Sequence, residues 1–263
     1  MLSDINKIIL WRDLISIGLI QLFVKYFFLE GFGFETVLNN ELLNFLILAT
    51  ILIVIGNYFF NAHFKNYFQV VFFSKKQLLY LAMFFTFLGI ITGSYISFRI
   101  GKPLYSLMFA FLCFAGVFYV IDSQRKTLLT NIIPAFLRPL CIIMVWWIDS
   151  PVSLDSTQWQ LFLNIELIVL FYIGASFITN LCKSIVNDLK NMKRDVKRKS
   201  ETLPLVFGEK KTKTIVLYFN ITLITLTSIV CFYFNNRPFI LVTFIVTMII
   251  PQLYCAWKLI DSK

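Results

Sequence analysis

The sequence predicts an all-α, polytopic membrane helix bundle of about eight transmembrane helices. Three observations lead there. Apolar residues make up 59% of the chain and charged residues only 14%, a balance far from that of a soluble domain. Thirty phenylalanines serve as the bulk side chains of a lipid phase. The apolar residues also fall in runs of roughly 20, the length that crosses a hydrocarbon core as a helix. These runs consume most of the 263 residues without an intervening linker, so a single integral membrane domain is expected over residues 1–263.

The first span is expected at 13–29. Its flank carries Lys7 and Arg12, as the flank of a signal peptide would. No small-residue cleavage site follows, however, and Lys25 interrupts the apolar run, so the segment reads as a retained helix. Further spans are expected at 42–60, 78–98, 104–121, 129–148, 159–182, 214–235 and 238–258. Pro103, Pro151 and Pro238 stand at or beside span boundaries, where a missing N–H costs little. The run SETLPLVFGEKK, with its Pro and Gly, should turn the chain before the seventh span. Cys113, Cys141, Cys182, Cys231 and Cys255 are scattered without ligand spacing and read as small hydrophobes.

Positive charge sets the expected orientation. External loops hold Arg99, Lys102 and Arg237, while most other Lys and Arg fall on the opposite side. The positive-inside rule then places both termini in the cytoplasm, as for an integral protein of the cytoplasmic (inner) membrane. Trp146, Trp147 and Trp159 would anchor one interface, and Trp11 and Trp257 the other. The net charge of +10 is thereby mostly topology and contact with membrane lipid. Without a soluble basic domain or a base-stacking platform, the sequence argues against nucleic acid as a partner.

Polar residues concentrate in two places. Cys182–Lys213 holds ten of the 24 Lys and Arg. Within it, Asp188, Asn191 and Asp195 stand three and four apart, on one helical face. Between the second and third spans, Asn61, Lys65 and Gln69 recur every four residues on another such face. Both stretches fall on the cytoplasmic side, so residues 61–69 and 188–195 are expected to face each other. They would form a polar mouth above an apolar interior, which suits an amphiphile with a charged head and a hydrocarbon tail. Lys25, Arg138 and Glu166 lie inside spans, where charge is costly and usually paired, and an ion pair between Lys25 and Glu166 is expected. His63 reads as an interfacial side chain, and the Lys and Arg run from Lys190 to Lys199 fits either anionic lipid or phosphate.

The segment NDLKNMKRDVKRKSETLPLVFGEKKTK resembles the second Asp-rich motif and the TLP…GEKK segment of the UbiA superfamily of intramembrane prenyltransferases. RDLISIGLIQLFVKYFFL is similar to that family's first helix, and NAHFKNYFQ falls where the family has NDxxDxxxD. SKKQLLYLAMFFTFLGIITGSY and TLLTNIIPAFL match the helices that follow. Asn131 stands where the family has an Asn.

The resemblance implies a prenyl diphosphate bound with its tail in the bundle. Its head would be held through Mg²⁺ bridged by the two Asp-rich motifs and ionised so that a lipid or aromatic acceptor traps the allylic cation. Several motif positions differ here. Asn61 is retained, but Ala62 replaces the neighbouring Asp, and Lys65 and Gln69 replace the metal-binding ones. In the second motif Asp188 and Asp195 remain as candidate metal ligands, and Asn191 stands where an Asp is expected. An ammonium in place of a carboxylate reverses the local charge, so Asn61, Lys65, Lys190 and Arg194 become candidates for holding the diphosphate directly.

Three readings follow. The chain is an active prenyltransferase with a reduced Mg²⁺ site. Alternatively it is a catalytically inactive relative that binds a polyprenyl diphosphate or isoprenoid lipid, with a partner membrane protein. The third reading is an unrelated membrane carrier, but the inverted repeats and midplane charges expected of one are not seen.

Overall fold

The computed structural model describes residues 8–64, 73–125, 129–197, 202–233, 241–242, 245–250, 252–253 and 256–257. These residues are helical almost throughout and form no strand beyond one isolated bridge, Thr36 with Pro151. In chain order the helices are α1 (Trp11–Phe23), α2 (Asn40–Phe64), α3 (Lys75–Arg99), α4 (Ser106–Arg125), α5 (Leu129–Ile148), α6 (Ser156–Lys197), α7 (Leu203–Phe207) and α8 (Glu209–Tyr233). Seven helices among the described residues are long and apolar enough to cross a bilayer, and the protein is an integral membrane protein. The eighth expected span, 238–258, lies largely outside the described residues. Inside it, Ile245–Ile249 forms a π-helical turn.

Local chemistry sets where these helices begin and end. Ser74 opens α3 with a capping box: its hydroxyl accepts the Gln77 N–H, and the Gln77 side chain accepts the Ser74 N–H at 2.8 Å. Asp155 does the same for α6, accepting the Gln158 N–H at 2.7 Å while Gln158 Oε1 accepts the Asp155 N–H at 3.3 Å. Thr157 donates to the same carboxylate at 2.7 Å. The hydrogen bonds from Gln158 and Thr157 hold the exposed Asp155 carboxyl below its ordinary range. The turn expected after the polar segment is α7, closed by Gly208 at φ +82°, a conformation that favours glycine. Helix α8 then starts at Glu209, five residues before the expected Thr214.

The described chain divides into two compact units, Met1–Gln124 with Leu137–Ile173, and Arg125–Phe136 with Gly174–Lys263. In the first, α2 and α3 pack closely because α3 presents no side chain at Gly89. A Cβ there would meet the Ala49 carbonyl oxygen at 2.9 Å and the Ile53 side chain at 2.7 Å. Near the other end of this pair, Ile9, Leu14, Phe59, Ala62, Leu78 and Ala82 form a buried cluster, with Phe59 stacked on Phe85 at 5.6 Å between centroids.

Lys25 lies in a π-helical continuation of α1, Val24–Leu29, where it is completely buried. Its ammonium donates to Asp149 Oδ2 at 2.9 Å, to Thr36 Oγ1 at 2.9 Å and to the Leu38 carbonyl at 2.6 Å. Glu30 lies 3.2 Å away. Asp149 also accepts the Leu38 N–H at 2.7 Å. Burial pushes its carboxyl above the ordinary range, against the hydrogen bonds from Lys25 and Leu38. The expected partner, Glu166, is therefore incorrect. It sits half-buried on α6 and makes no ion pair among the described residues, because the loop after α1 folds Lys25 onto the end of α5 instead. Around this pair the two loops bond backbone to backbone, Val37 N–H to Ser150 and Val152 N–H to Glu35, and Lys102 reaches Ser150 Oγ at 2.6 Å. Trp146 also departs from expectation. It is buried, stacked on Phe162 at 5.2 Å, whereas Trp147 and Trp159 are exposed as interface anchors should be.

In the second unit, Cys182, Ile185 and Val216 form a buried cluster with Leu203 packed against it, fastening α6, α7 and α8 together. The described cysteines, Cys113, Cys141, Cys182 and Cys231, are free, and all but the half-buried Cys113 are buried.

Candidate functional site

The first polar stripe begins inside α2. Asn61 lies in its last turn, with its Oδ1 buried and lacking a hydrogen-bond partner, and Ala62 beside it is buried. One turn earlier, Asn57 also has a buried Oδ1 without a partner, and its side chain lies where a Cβ on Gly116 of α4 would be. An unpaired buried acceptor costs about 1–3 kcal/mol, so two on one helical face mark a place where a ligand's donor would be favourable. Sequence reading missed Asn57, although it extends the four-residue spacing of Asn61, Lys65 and Gln69. Lys65 and Gln69 lie outside the described residues. His63 joins the ends of α2 and α3, its Nδ1 bonded to the Lys75 carbonyl at 2.8 Å.

The second motif lies on α6, and the continuous helix puts Asp188, Asn191 and Asp195 on one face as expected. Asp188 is held from α5, where Asn131 Nδ2 donates to its Oδ2 at 2.9 Å. Asn131 Oδ1 in turn accepts the Ser184 hydroxyl at 2.7 Å. Asn131 is thus an interhelical hydrogen-bonding residue. Asn191 turns its amide back to the Asn187 carbonyl at 2.7 Å. Lys190 is exposed. Arg194 and Asp195 belong to α6, but their side chains lie outside the described residues. Thr202, before α7, is buried and its hydroxyl has no partner among the described residues.

Magnesium needs a near-octahedral set of hard oxygen ligands. Among the described residues, no three His, Cys, Asp or Glu side chains lie together as such a set would require. Asp188 spends one oxygen on Asn131, and Asn191 offers its amide to its own helix. Asp195 follows Asp188 by seven residues, a rise of about 10 Å along the helix, which is too far for one ion bound directly to both. The described donors do not fit a Mg²⁺ ion held by the protein alone.

The family model described as the UbiA prenyltransferase family matches residues 73–263. Digeranylgeranylglyceryl phosphate synthase of Methanosphaera stadtmanae is 23% identical over 190 residues, 72% of this chain. The match covers 62% of that protein, so the chain spans less than two thirds of its length. No solved structure matches the chain significantly.

Proposed function

Since the chain belongs to the UbiA prenyltransferase family, we propose that it binds a polyprenyl diphosphate or related isoprenoid lipid at a polar mouth on the cytoplasmic side of the inner membrane, its termini on that side. Members of the family are generally Mg²⁺-dependent, and the family reaction is prenyl transfer to a lipid or aromatic acceptor. In this chain we separate binding from that reaction. The observation that carries the reading is the substitution pattern: Lys65, Gln69 and Asn191 stand where the resemblance calls for carboxylates. An ammonium can hold a phosphate oxygen without a metal. It does not supply the concentrated divalent charge that drives departure of diphosphate.

Asn61, Lys65, Lys190 and Arg194 are the groups proposed to meet the headgroup, and the apolar helices would take the tail. The relative's name specifies a product with prenyl tails and a phosphate, and a headgroup of that kind fits the proposal. The chain would then act as an isoprenoid-phosphate binder, alone or with a partner membrane protein.

The test compares the native protein with Lys65→Glu for binding of a non-hydrolysable prenyl diphosphate in chelator. Tight binding by the native protein and clear loss in the variant are expected. Equal affinities would remove Lys65 as a ligand, and robust Mg²⁺-dependent product formation from radiolabelled prenyl diphosphates would overturn the separation of binding from turnover.

A further inference from the structure

A buried asparagine is costly unless both halves of its amide are bonded. Asn131 is only 2% exposed. Its oxygen takes the Ser184 hydroxyl at 2.7 Å and its nitrogen gives a hydrogen to Asp188 Oδ2 at 2.9 Å. The two contacts are not independent. A hydroxyl can donate or accept, and so can an amide that is free to turn over. Once Ser184 donates to Oδ1, the NH₂ half must face the carboxylate, which can only accept. Ser184 and Asp188 lie four residues apart on α6, one turn, so a single side chain from α5 bridges both and fixes the rotamer of each.

We propose that Asn131 and Ser184 are positioning residues for Asp188. Ser184 sets which way the Asn131 amide faces, and the amide sets the direction of the carboxylate. This matters because Asn191 replaces one acid of the motif, which leaves the direction of Asp188 to a neutral donor on a neighbouring helix. The held carboxylate keeps its acceptor character, so it resists phosphate oxygens and accepts a hydroxyl or other donor of a headgroup. The functional half of this inference rests on the headgroup reading above, while the geometric half stands on the two hydrogen bonds.

The experiment uses the full chain in lipid nanodiscs with ¹³C-carboxyl-labelled aspartate. The infrared band lost in Asp188→Asn identifies the Asp188 carboxylate. In ligand-free protein, Asn131→Ala and Ser184→Ala should both shift that band, while Ser184→Thr, which keeps the hydroxyl, should leave it in place. A role in packing alone would not follow the hydroxyl in this way. An unmoved band in both alanine variants, or an equal shift in Ser184→Thr, overturns the relay. Should Asn131→Ala fail to fold, the comparison of Ser184→Ala with Ser184→Thr decides alone.

The same proteins are titrated with a prenyl thiolodiphosphate. One net hydrogen bond corresponds to about a two- to tenfold change in affinity. Asn131→Ala should change affinity by about that factor, Ser184→Ala by less, and the double variant by no more than Asn131→Ala. Unchanged affinities overturn the functional half. Failure of the native protein to bind the analogue instead counts against the headgroup reading, and the infrared result still judges the relay.

Discussion

Lys25 and Asp149 lie 124 positions apart in sequence, yet their side chains meet at 2.9 Å with neither exposed. Every hydrogen bond of the ammonium ends on the two loops that close this end of the first unit, so the pair holds backbone as well as side chains. Removing one partner of such a pair strands a buried charge, a cost of about 3–5 kcal/mol, while replacing both with apolar groups of similar shape is often nearly neutral.

We therefore expect Lys25→Met and Asp149→Leu each to lower thermal stability in detergent sharply, and the double variant to recover most of the loss. A double variant no more stable than either single one would contradict this account.

For divalent ions, we expect no binding to the ligand-free protein at physiological concentration. Each missing carboxylate removes a hard oxygen and a compensating charge. Mn²⁺ paramagnetic broadening or titration calorimetry checks this, and sub-millimolar binding would refute it.

Gly89 lets α2 and α3 approach until its missing Cβ would sit 2.9 Å from the Ala49 carbonyl. Gly89→Val should cost about 1–3 kcal/mol, as overpacking does. Gly101→Ala, whose Cβ would meet nothing within 4 Å but whose φ is +72°, separates backbone strain from crowding. If both variants lose stability equally, close helix approach is not what Gly89 provides.

The Asp155 cap gives a pH dependence. Its carboxyl is held below the ordinary range by the Gln158 and Thr157 hydrogen bonds. A group lowered on folding contributes stability that is fully present above its unfolded value, about 3.9, and is lost as pH falls through the folded value. The exchange protection factor of the Gln158 amide should persist down to about pH 4 and fall only below it, and Asp155→Ala should remove the protection at neutral pH. Loss already at pH 5 in the native protein would show that the carboxylate is not the cap.

Hydropathy made most of the helices legible, because a bilayer demands about 20 apolar residues whatever the fold. Spacing also made the Asp188–Asn191–Asp195 face legible, since both motif and helix repeat locally. Lys25 with Asp149 was not legible. Charge inside a span announces that a partner exists, but the choice between Glu166 and Asp149 depends on how a loop returns. Trp146 was misread for a related reason: interface and core both take tryptophan, and Phe162 decides between them only once the helices are packed. Asn57 carried a signal in its spacing, but an asparagine within an apolar run reads as an interhelical contact until its unpaired oxygen is seen.

The π-helical stretch Val24–Leu29 has a consequence for how this chain can change length. A π turn is an α-helix with one residue too many. Here the surplus lets adjacent pairs, Val24 with Lys25 and Phe28 with Leu29, turn inward together, where α geometry would send one of each pair toward lipid. Deleting any one residue of the stretch would restore α spacing and rotate all that follows by about 100°, carrying the loop residues Thr36 and Leu38 off the ammonium. This corner should therefore accept many exchanges of one apolar residue for another and no change in their number.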